Sequence, residues 1–469
     1  MTLSVHANAA ATSMADFRLI PRIETYPKVI SFAQSRLGRV TLLTVFGLGL
    51  RFFVRDLITL LSFLLLLGLI TFLPKYRRLV LGGSPSLLLL KKYFHSPLQM
   101  VSMFSFVGAG MLLYWCARRW PRSLFGQRPI VSLLAGFTFL LICACSATSD
   151  SMLHTVLWSL VGAAVSYIWF IGFALLDRNS KPSTDLTLEL ASFRPVWSAD
   201  ITPIPKGAAY LRRIEARNPE QLAIAQLKGL KLLAWAILVT LFLRYWNFFF
   251  HGYLLIPTPV EALAMSVKRT PLPWHTLWEG LVLSFFESIL IMAVYTHKFV
   301  ACCRMAGYHA LRNTYRPLSS TTIAEFFNRY AYYFKEMLVD FFFYPTFLRY
   351  WKGHRRLRIV FATFAAAGFG NLFFHFTMDW EMIRDSGLWR AIANYQSFVL
   401  YCFVLAAGLS ISQLRKREPR QRGFVRGQVL PAVGVGCFYC LLNVFAFARG
   451  RYPLVEHLKY LASLFSIHF

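Results

Sequence analysis

The sequence predicts an all-α fold, a polytopic transmembrane helical bundle of ten to eleven spans with an amphipathic helix at the membrane interface. Three observations carry this prediction. Hydrophobic residues make up 57% of the 469-residue chain, and the mean hydropathy is +0.50, which is high for a soluble domain. Several continuous apolar runs are long enough to cross a bilayer. These runs lack the alternating pattern of a membrane β-barrel.

The apolar runs define the predicted spans, and residues 40–50 add one more candidate. The spans are 57–74, 97–116, 129–147, 153–176, 231–256, 279–300, 358–377, 389–413, 429–448 and 453–467. We therefore expect four regions along the chain. They are a polar N-terminal tail (1–39), N-terminal transmembrane helices (40–176), a cytoplasmic insert (177–230) and a transmembrane core (231–469).

The formal net charge of +29 is explained by membrane topology and does not require a nucleic-acid partner. Basic residues cluster in the short segments 349–358 and 415–426, which the positive-inside bias places in the cytoplasm. The segment between them, 378–388, carries three acidic residues against Arg384 alone and is predicted to be external. Contact of the basic loops with anionic lipid follows from this arrangement. The first half is ambiguous, because 75–92 and 117–128 are both basic; either the span between them is re-entrant or the bias fails there.

The insert 177–230 is predicted to be a surface connector without chemistry, because it contains no glycine-rich phosphate-binding motif. Within it, Asn218 and Gln221 predict a capped helix start around Pro219 that continues into the span at 231. The sequence predicts no metal site, because the only Cys-x-x-Cys spacing, Cys437 to Cys440, has no second pair or nearby histidine to complete it.

Two ionisable residues lie inside consecutive predicted spans, where an isolated charge is very costly. Arg244 lies 13 residues beyond Lys231, and Glu287 lies 8 residues beyond Glu279. At about 1.5 Å per residue, they lie roughly 20 Å and roughly 12 Å from opposite faces of a core about 30 Å thick. Their depths nearly coincide, so we expect a buried Arg244–Glu287 ion pair, with a structural or a functional role equally open.

His375 is the third candidate, about 25 Å along its helix from Arg358 towards the outer interface. Asn371 lies four residues before it and Asp379 four residues after it, so all three share one helix face. A carboxylate one turn away is able to hold the ring in one tautomer. The alternative is a histidine at headgroup level without a special role.

Residues 322–345 are predicted to form one helix with a polar stripe on an otherwise aromatic surface. Steps of four, three, four and four residues connect the members of the stripe, which typically places them on one face. They are Glu325, Arg329, Tyr332, Glu336 and Asp340. We expect this helix to lie at the cytoplasmic interface or to line a water-filled entrance, and we expect Pro345 to end it.

The segment TIAEFFNRYAYYFKEMLVDFFFYPTFLR resembles the signature segment of the membrane-bound O-acyltransferase family. The matching positions are Glu325-Phe326-Phe327, Arg329-Tyr330, Asp340 and Phe343-Tyr344-Pro345. The family then has an apolar helix that ends at its catalytic histidine, and here LFFHF places His375 in that position. The likeness in motif covers about 320–376, and the likeness in the order of elements covers about 205–400.

The resemblance implies transfer of an acyl group from a thioester to a hydroxyl, with no bound cofactor. Acyl-CoA or acyl carrier protein would be the co-substrate, and the acceptor would be a polysaccharide, a lipid or a small molecule. His375 would act as general base, Asn371 or Asn328 would steady the oxyanion, and the polar stripe with Arg244 and Glu287 would line the substrate tunnel. The implied location is the inner membrane of a bacterium.

Two positions depart from the family pattern. Ala331 stands where the family has its first histidine or asparagine, with Asn328 one turn earlier, and Phe376 follows His375 where the family has glycine. A non-catalytic member is therefore one alternative. Others are a transporter or lipid-binding protein that uses Arg244 and Glu287, and a structural partner in a membrane complex. An enzyme requires His375 and the polar stripe to line one cavity.

Overall fold

The chain folds almost entirely into helices. The computed structural model describes residues 19–83, 97–149, 151–177, 186–198, 202–268, 270, 272–415 and 423–467. Within these ranges the only β-type pairing is an isolated bridge between Glu215 and Tyr308. The predicted all-α class is therefore confirmed for the described residues.

The first half of the chain contains eleven of the helices that we number here. They are α1 (Pro27–Gln34), α2 (Arg36–Arg51), α3 (Leu57–Phe72), α4 (Arg77–Gly83), α5 (Pro97–Arg119), α6 (Leu124–Gln127), α7 (Pro129–Ser146), α8 (Met152–Asp177), α9 (Leu186–Phe193), α10 (Ala208–Ile214) and α11 (Pro219–Asn247).

The second half contains twelve more. They are α12 (Pro259–Val267), α13 (Trp274–Met305), α14 (Ile323–Tyr330), α15 (Tyr332–Leu338), α16 (Tyr344–Arg349), α17 (Arg355–Thr363), α18 (Asn371–Met378), α19 (Trp380–Ser386), α20 (Leu388–Asn394), α21 (Gln396–Leu414), α22 (Leu430–Leu442) and α23 (Leu454–Ser463). In the described ranges, four wider π-helical segments interrupt or extend these helices. They are Phe248–Tyr253, Val339–Phe343, Phe364–Gly370 and Val425–Val429.

Eight helices in the described ranges are long and apolar enough to cross a membrane, or nine if the bent pair Leu57–Phe72 and Pro74–Gly82 forms one span. They indicate a multi-pass membrane protein. The sequence predicted ten to eleven spans. The predicted span 453–467 forms only the ten-residue helix α23, which at about 1.5 Å per residue covers half of a bilayer core. The candidate at 40–50 lies within the 16-residue helix α2.

Helices α11 and α13 pack against each other as an antiparallel pair. A Cβ on Gly229, near the start of α11, would lie 3.0 Å from the carbonyl oxygen of Ala301, near the end of α13. The predicted helix start is confirmed, because the Asn218 side chain accepts a hydrogen bond from the Gln221 amide at 2.8 Å and Pro219 opens the helix.

The insert is buried against the core and is not the surface connector expected from its sequence. Trp197 and Leu211 are buried, and the Trp197 indole donates to the Ile204 carbonyl oxygen at 2.8 Å. Apolar side chains within a polar stretch explain the error, because they pack on neighbouring helices. The predicted tail 1–39 is also helical from Pro27 onwards; its first 18 residues lie outside the described ranges.

Both basic stretches of the first half contact the insert. Arg78 pairs with Glu215 at 2.6 Å, and Arg118 at the end of α5 pairs with Glu189 at 3.7 Å. These contacts are those expected if residues 75–83 and the end of α5 lie on one side of the membrane. Most of the predicted cytoplasmic loop 415–426 lies outside the described residues.

Candidate functional site

The segment predicted as one helix over 322–345 is broken at Ala331. Its backbone there has φ −140° and ψ 69°, which ends α14 and begins α15. A preceding loop satisfies the backbone groups that the break exposes, because Asn313 Oδ1 accepts from the Tyr333 amide at 2.9 Å and Thr314 donates to the Tyr330 carbonyl oxygen at 2.7 Å. Pro345 does not end the segment either. It lies where the π-helical segment Val339–Phe343 passes directly into α16, so the helical backbone continues through it.

The break divides the polar stripe into two parts. In the first part, Glu325 and Arg329 form the expected ion pair at 2.7 Å. Glu325 also accepts from the Thr321 amide at 2.9 Å, and Thr322 caps α14. This part of the stripe anchors the start of the helix to the loop before it.

The second part of the stripe binds the insert. Lys206 Nζ lies 2.7 Å from Asp340 Oδ2 and also pairs with Glu336. Burial alone would lower the pKa of Lys206, but the two carboxylates outweigh burial and raise that pKa above its ordinary value. Burial raises the pKa of Asp340 despite Lys206, and burial beside Glu336 raises the pKa of Tyr332 to about 12. Through Lys206, Glu336 and Asp340 therefore join the insert to α15 and to the π-helical segment that follows it.

His375 faces the interior of the protein. Its ring centroid lies 4.9 Å from that of Phe398 on α21 and 5.8 Å from that of Phe334 on α15. The signature segment and the predicted catalytic histidine are therefore in direct contact. The residue is partly buried, and its ring packs against aromatic side chains of two neighbouring helices.

A cation not identified from the sequence determines the tautomer of His375. Arg449 Nη1 lies 3.2 Å from His375 Nδ1. A guanidinium only donates, so Nδ1 accepts and the neutral ring carries its proton on Nε2. Asp379 holds Arg449 through hydrogen bonds of 2.8 Å and 3.2 Å, and the Tyr395 hydroxyl donates to the same carboxylate. Asp379 thus acts on the ring through Arg449, and not directly as the sequence suggested.

The two predicted oxyanion residues lie in different places. Asn371 is buried one turn before His375 on α18, and its Oδ1 has no hydrogen-bond partner among the described residues. Asn328 instead lines a cavity of about 210 Å³. Neither His375 nor Asn371, both in the described part of the chain, lines that cavity, and no member of the polar stripe lines it. The arrangement expected of an enzyme, in which His375 and the polar stripe line one cavity, is therefore not met at this cavity.

This smaller cavity lies between the signature segment and α17. Polar side chains and apolar walls share its surface. Its lining residues include Asn328, Lys335, Thr363 and Gln413 among polar side chains, and Phe327, Leu338, Phe343, Ala366 and Leu409 among apolar ones. Two π-helical segments contribute Val339 and Ala366, and such wide turns are frequent at functional sites. Phe327 contacts Phe334, which contacts His375, so two rings separate the cavity from the histidine.

The predicted Arg244–Glu287 pair is wrong. Glu287 Oε1 instead lies 2.8 Å from His251 Nε2, while Arg244 is exposed and its guanidinium carbon lies 5.0 Å from the centroid of the Phe52 ring. Lys231 is buried and pairs with Glu24, so this residue does not mark the membrane boundary from which the depth of Arg244 was predicted. The partner of Glu287 lies seven residues further along the chain than expected.

No protein-family model matches this chain, and no curated protein sequence matches it significantly. In the described part of the chain, no three His, Cys, Asp or Glu side chains are grouped closely enough to hold a metal ion.

The sequence did contain a signal for Arg449. It follows the span 429–448 directly, on the face that the positive-inside bias leaves poor in cations, so a structural or functional partner was to be expected there.

Proposed function

We propose that this protein transfers an acyl group from a thioester donor to a hydroxyl acceptor within the membrane, and that His375 meets the reacting groups. The observation that carries the proposal is the contact of His375 with both the signature segment, through Phe334, and a fixed cation, Arg449. An interior histidine in a polar cluster near the end of a span is a functional candidate on physical grounds.

The tautomer decides where a proton can be taken up. Only Nδ1 has a lone pair in the neutral ring, and Arg449 occupies it. As general base, His375 therefore requires the acceptor hydroxyl to replace Arg449 as the partner of Nδ1. Arg449 then remains held by Asp379, next to the reacting atoms. Its charge is suited to stabilise an oxyanion at that position.

The proposed step is a direct transfer. The hydroxyl proton moves to His375 Nδ1 while the hydroxyl oxygen forms a bond to the thioester carbonyl carbon. The carbon–sulfur bond then breaks, and the leaving thiolate takes the proton back from His375 and departs as a thiol. No residue of the protein is acylated, and no cofactor is consumed.

The 210 Å³ cavity is the proposed route of the thioester. Lys335 and Asn328 provide polar contacts, and the apolar walls suit an acyl chain. Phe334 stands between the cavity lining and His375, so its side chain has to rotate before the thioester reaches the base. Acyl-CoA and acyl carrier protein are the proposed donors, and a bacterial inner membrane is the proposed location.

One observation favours a second candidate, a transporter. His251 and Glu287 form a hydrogen-bonded pair between two neighbouring candidate spans, and ionisable residues within the membrane often mark proton pathways. Such a transporter would use His251 with Glu287, and not Arg244. The non-catalytic alternative is decided by the same assay as the proposal itself.

The test uses purified full-length protein in nanodiscs with labelled acyl-CoA or acyl carrier protein of several chain lengths and an extract of membrane glycans and lipids as acceptor. We expect labelled ester with the wild type and a loss of about a hundredfold or more with His375→Ala. His375→Gln is decisive, because glutamine mimics the Nε2 donor but cannot take up a proton. It should be equally inactive, while the exposed control His354→Gln should be normal. Transfer by His375→Gln at wild-type rate would refute the base role.

A further inference from the structure

A second cavity lies far from this histidine in the sequence, where the N-terminal helices contact the residues that lead into α11. Its volume is about 650 Å³, within the range of about 300–1,000 Å³ typical of ligand pockets. Arg39 near the start of α2, residues 74–79 after α3, and residues 215–219 before and at the start of α11 surround it.

The cavity has an excess of positive charge. Its lining contains five cations, Arg39, Lys75, Arg77, Arg78 and Arg217, and a single carboxylate, Glu215. Five positive charges against one negative charge leave a formal excess of four. An excess of this size in one concave site attracts anions strongly, because low-dielectric walls focus the field.

The single carboxylate is already engaged. Glu215 accepts hydrogen bonds from Arg78 at 2.6 Å and 3.1 Å, and Arg77 lies 3.5 Å from its other oxygen. Arg77 is buried, and it donates to the Ala216 carbonyl oxygen at 3.0 Å. Its Nε has no hydrogen-bond partner within the described ranges. The existing contacts therefore fix the guanidinium groups but do not neutralise the cavity.

Two further features point to a phosphate. The 29-residue helix α11 begins at the cavity wall, with Asn218 and Pro219 in the lining, and the dipole of a helix favours anions near its N-terminus. Lys75 and Arg217 are exposed, so they can close on a ligand that enters. A guanidinium group can donate two parallel hydrogen bonds to two oxygens of one phosphate.

We propose that this cavity binds a phosphate-bearing anion at the membrane interface. The ends of α2, α3 and α11 meet there, so either a phospholipid headgroup from the bilayer or a soluble phosphate or diphosphate can reach it. The shared chemistry is a phosphate group between arginine side chains and the start of a long helix. The proposal is independent of the acyl transfer described above.

The test compares a cavity variant with a charge-matched control. The cavity variant is Lys75→Gln with Arg217→Gln, two exposed side chains whose replacement leaves the Glu215 contacts intact. The control is Lys352→Gln with Arg356→Gln, which removes the same charge from exposed positions outside the cavity lining. Elution as a single species in size-exclusion chromatography and an unchanged Tm without ligand establish that both fold.

One arm titrates the full-length protein in uncharged detergent with pyrophosphate and measures binding by calorimetry. The other arm measures Tm in nanodiscs of phosphatidylcholine with and without phosphatidylglycerol. For the wild type we expect saturable 1:1 binding of pyrophosphate, or a rise in Tm with phosphatidylglycerol. The cavity variant should weaken this response at least tenfold or abolish it, and the control should retain it. Binding of pyrophosphate alone identifies a soluble ligand, and a response to phosphatidylglycerol alone identifies a lipid. Equal behaviour of the cavity variant and the control in both arms overturns the proposal.

Discussion

Breaking the Asp379–Arg449 pair tests the geometry of the candidate site without knowledge of any substrate. Asp379→Asn leaves the Arg449 guanidinium without its carboxylate, and Arg449→Met leaves the Asp379 carboxylate with only the Tyr395 hydroxyl. The double variant removes both charges together. If the pair is built as described, each single change should be costly and the double change should recover a large part of the loss.

The magnitude follows from burial and geometry. The two side chains are 23% and 27% exposed, and they share two hydrogen bonds at 2.8 Å and 3.2 Å. Breaking a fully buried pair costs about 3–5 kcal/mol, whereas an exposed pair is worth about 0–1 kcal/mol. Because each side chain is about three-quarters buried, each single variant should lose about 3 kcal/mol of its free energy of unfolding. The loss in the double variant should be smaller than the sum of the two single losses by about 2 kcal/mol or more.

The assay is unfolding of the purified protein in mixed micelles by increasing denaturing detergent, followed by tryptophan fluorescence and fitted for the free energy of unfolding. The pair Arg384→Met and Asp385→Asn is the matched control, because those side chains are exposed and adjacent in sequence; it should show almost no coupling. Single losses at Asp379 and Arg449 that add to the double loss within about 0.5 kcal/mol would refute the reasoning.

Three further predictions concern topology, the corrected ion pair and pH. In a background without other reactive cysteines, an impermeant thiol reagent should label Asp385→Cys in intact cells and Lys352→Cys only after lysis, and the reverse pattern would contradict the assigned orientation. Glu287→Gln should destabilise the protein by about 1–3 kcal/mol because it weakens the contact with His251. Arg244→Met should change the free energy of unfolding by less than about 1 kcal/mol. A larger loss for Arg244→Met than for Glu287→Gln would support the Arg244–Glu287 pair that the sequence predicted. Burial and the charges of Lys228 and Arg304 lower the pKa of His309, so its contribution to stability is present above about pH 6.5 and is lost as pH falls below that value. His309→Gln should flatten this decline in Tm, while the exposed control His275→Gln should follow the wild type.

Local features of the candidate site were predictable from the sequence. Asn371, His375 and Asp379 lie at intervals of four residues within or at the end of one regular helix, α18, so their common face followed from helical periodicity. The Glu325–Arg329 pair followed for the same reason. The composition was sufficient for the helical membrane class because bilayer-length apolar runs have few alternatives.

Features that depend on distant parts of the chain were not predictable. Arg449 reaches His375 across 74 positions, and Lys206 reaches Asp340 across 134; no periodicity encodes either contact. The helix breaks at Ala331 although alanine has a high helix propensity. The break is tolerated because the loop around Asn313 supplies the hydrogen bonds that the helix gives up. The buried ion pair was misassigned because the membrane boundary was inferred from a charge that has its own buried partner.

The π-helical segment Phe364–Gly370 makes the direction of His375 depend on the length of the chain before it. Each residue of an α-helix advances the side chains by about 100°, and a π-helical turn holds one residue more than an α-helical turn. Deletion of a single small residue such as Ala365 would restore an ordinary helix while turning His375 away from both Phe334 and Arg449. The site should therefore tolerate exchanges among small side chains over 364–370 far better than any change in their number, a pattern that insertion and deletion scanning would detect where substitution scanning would not.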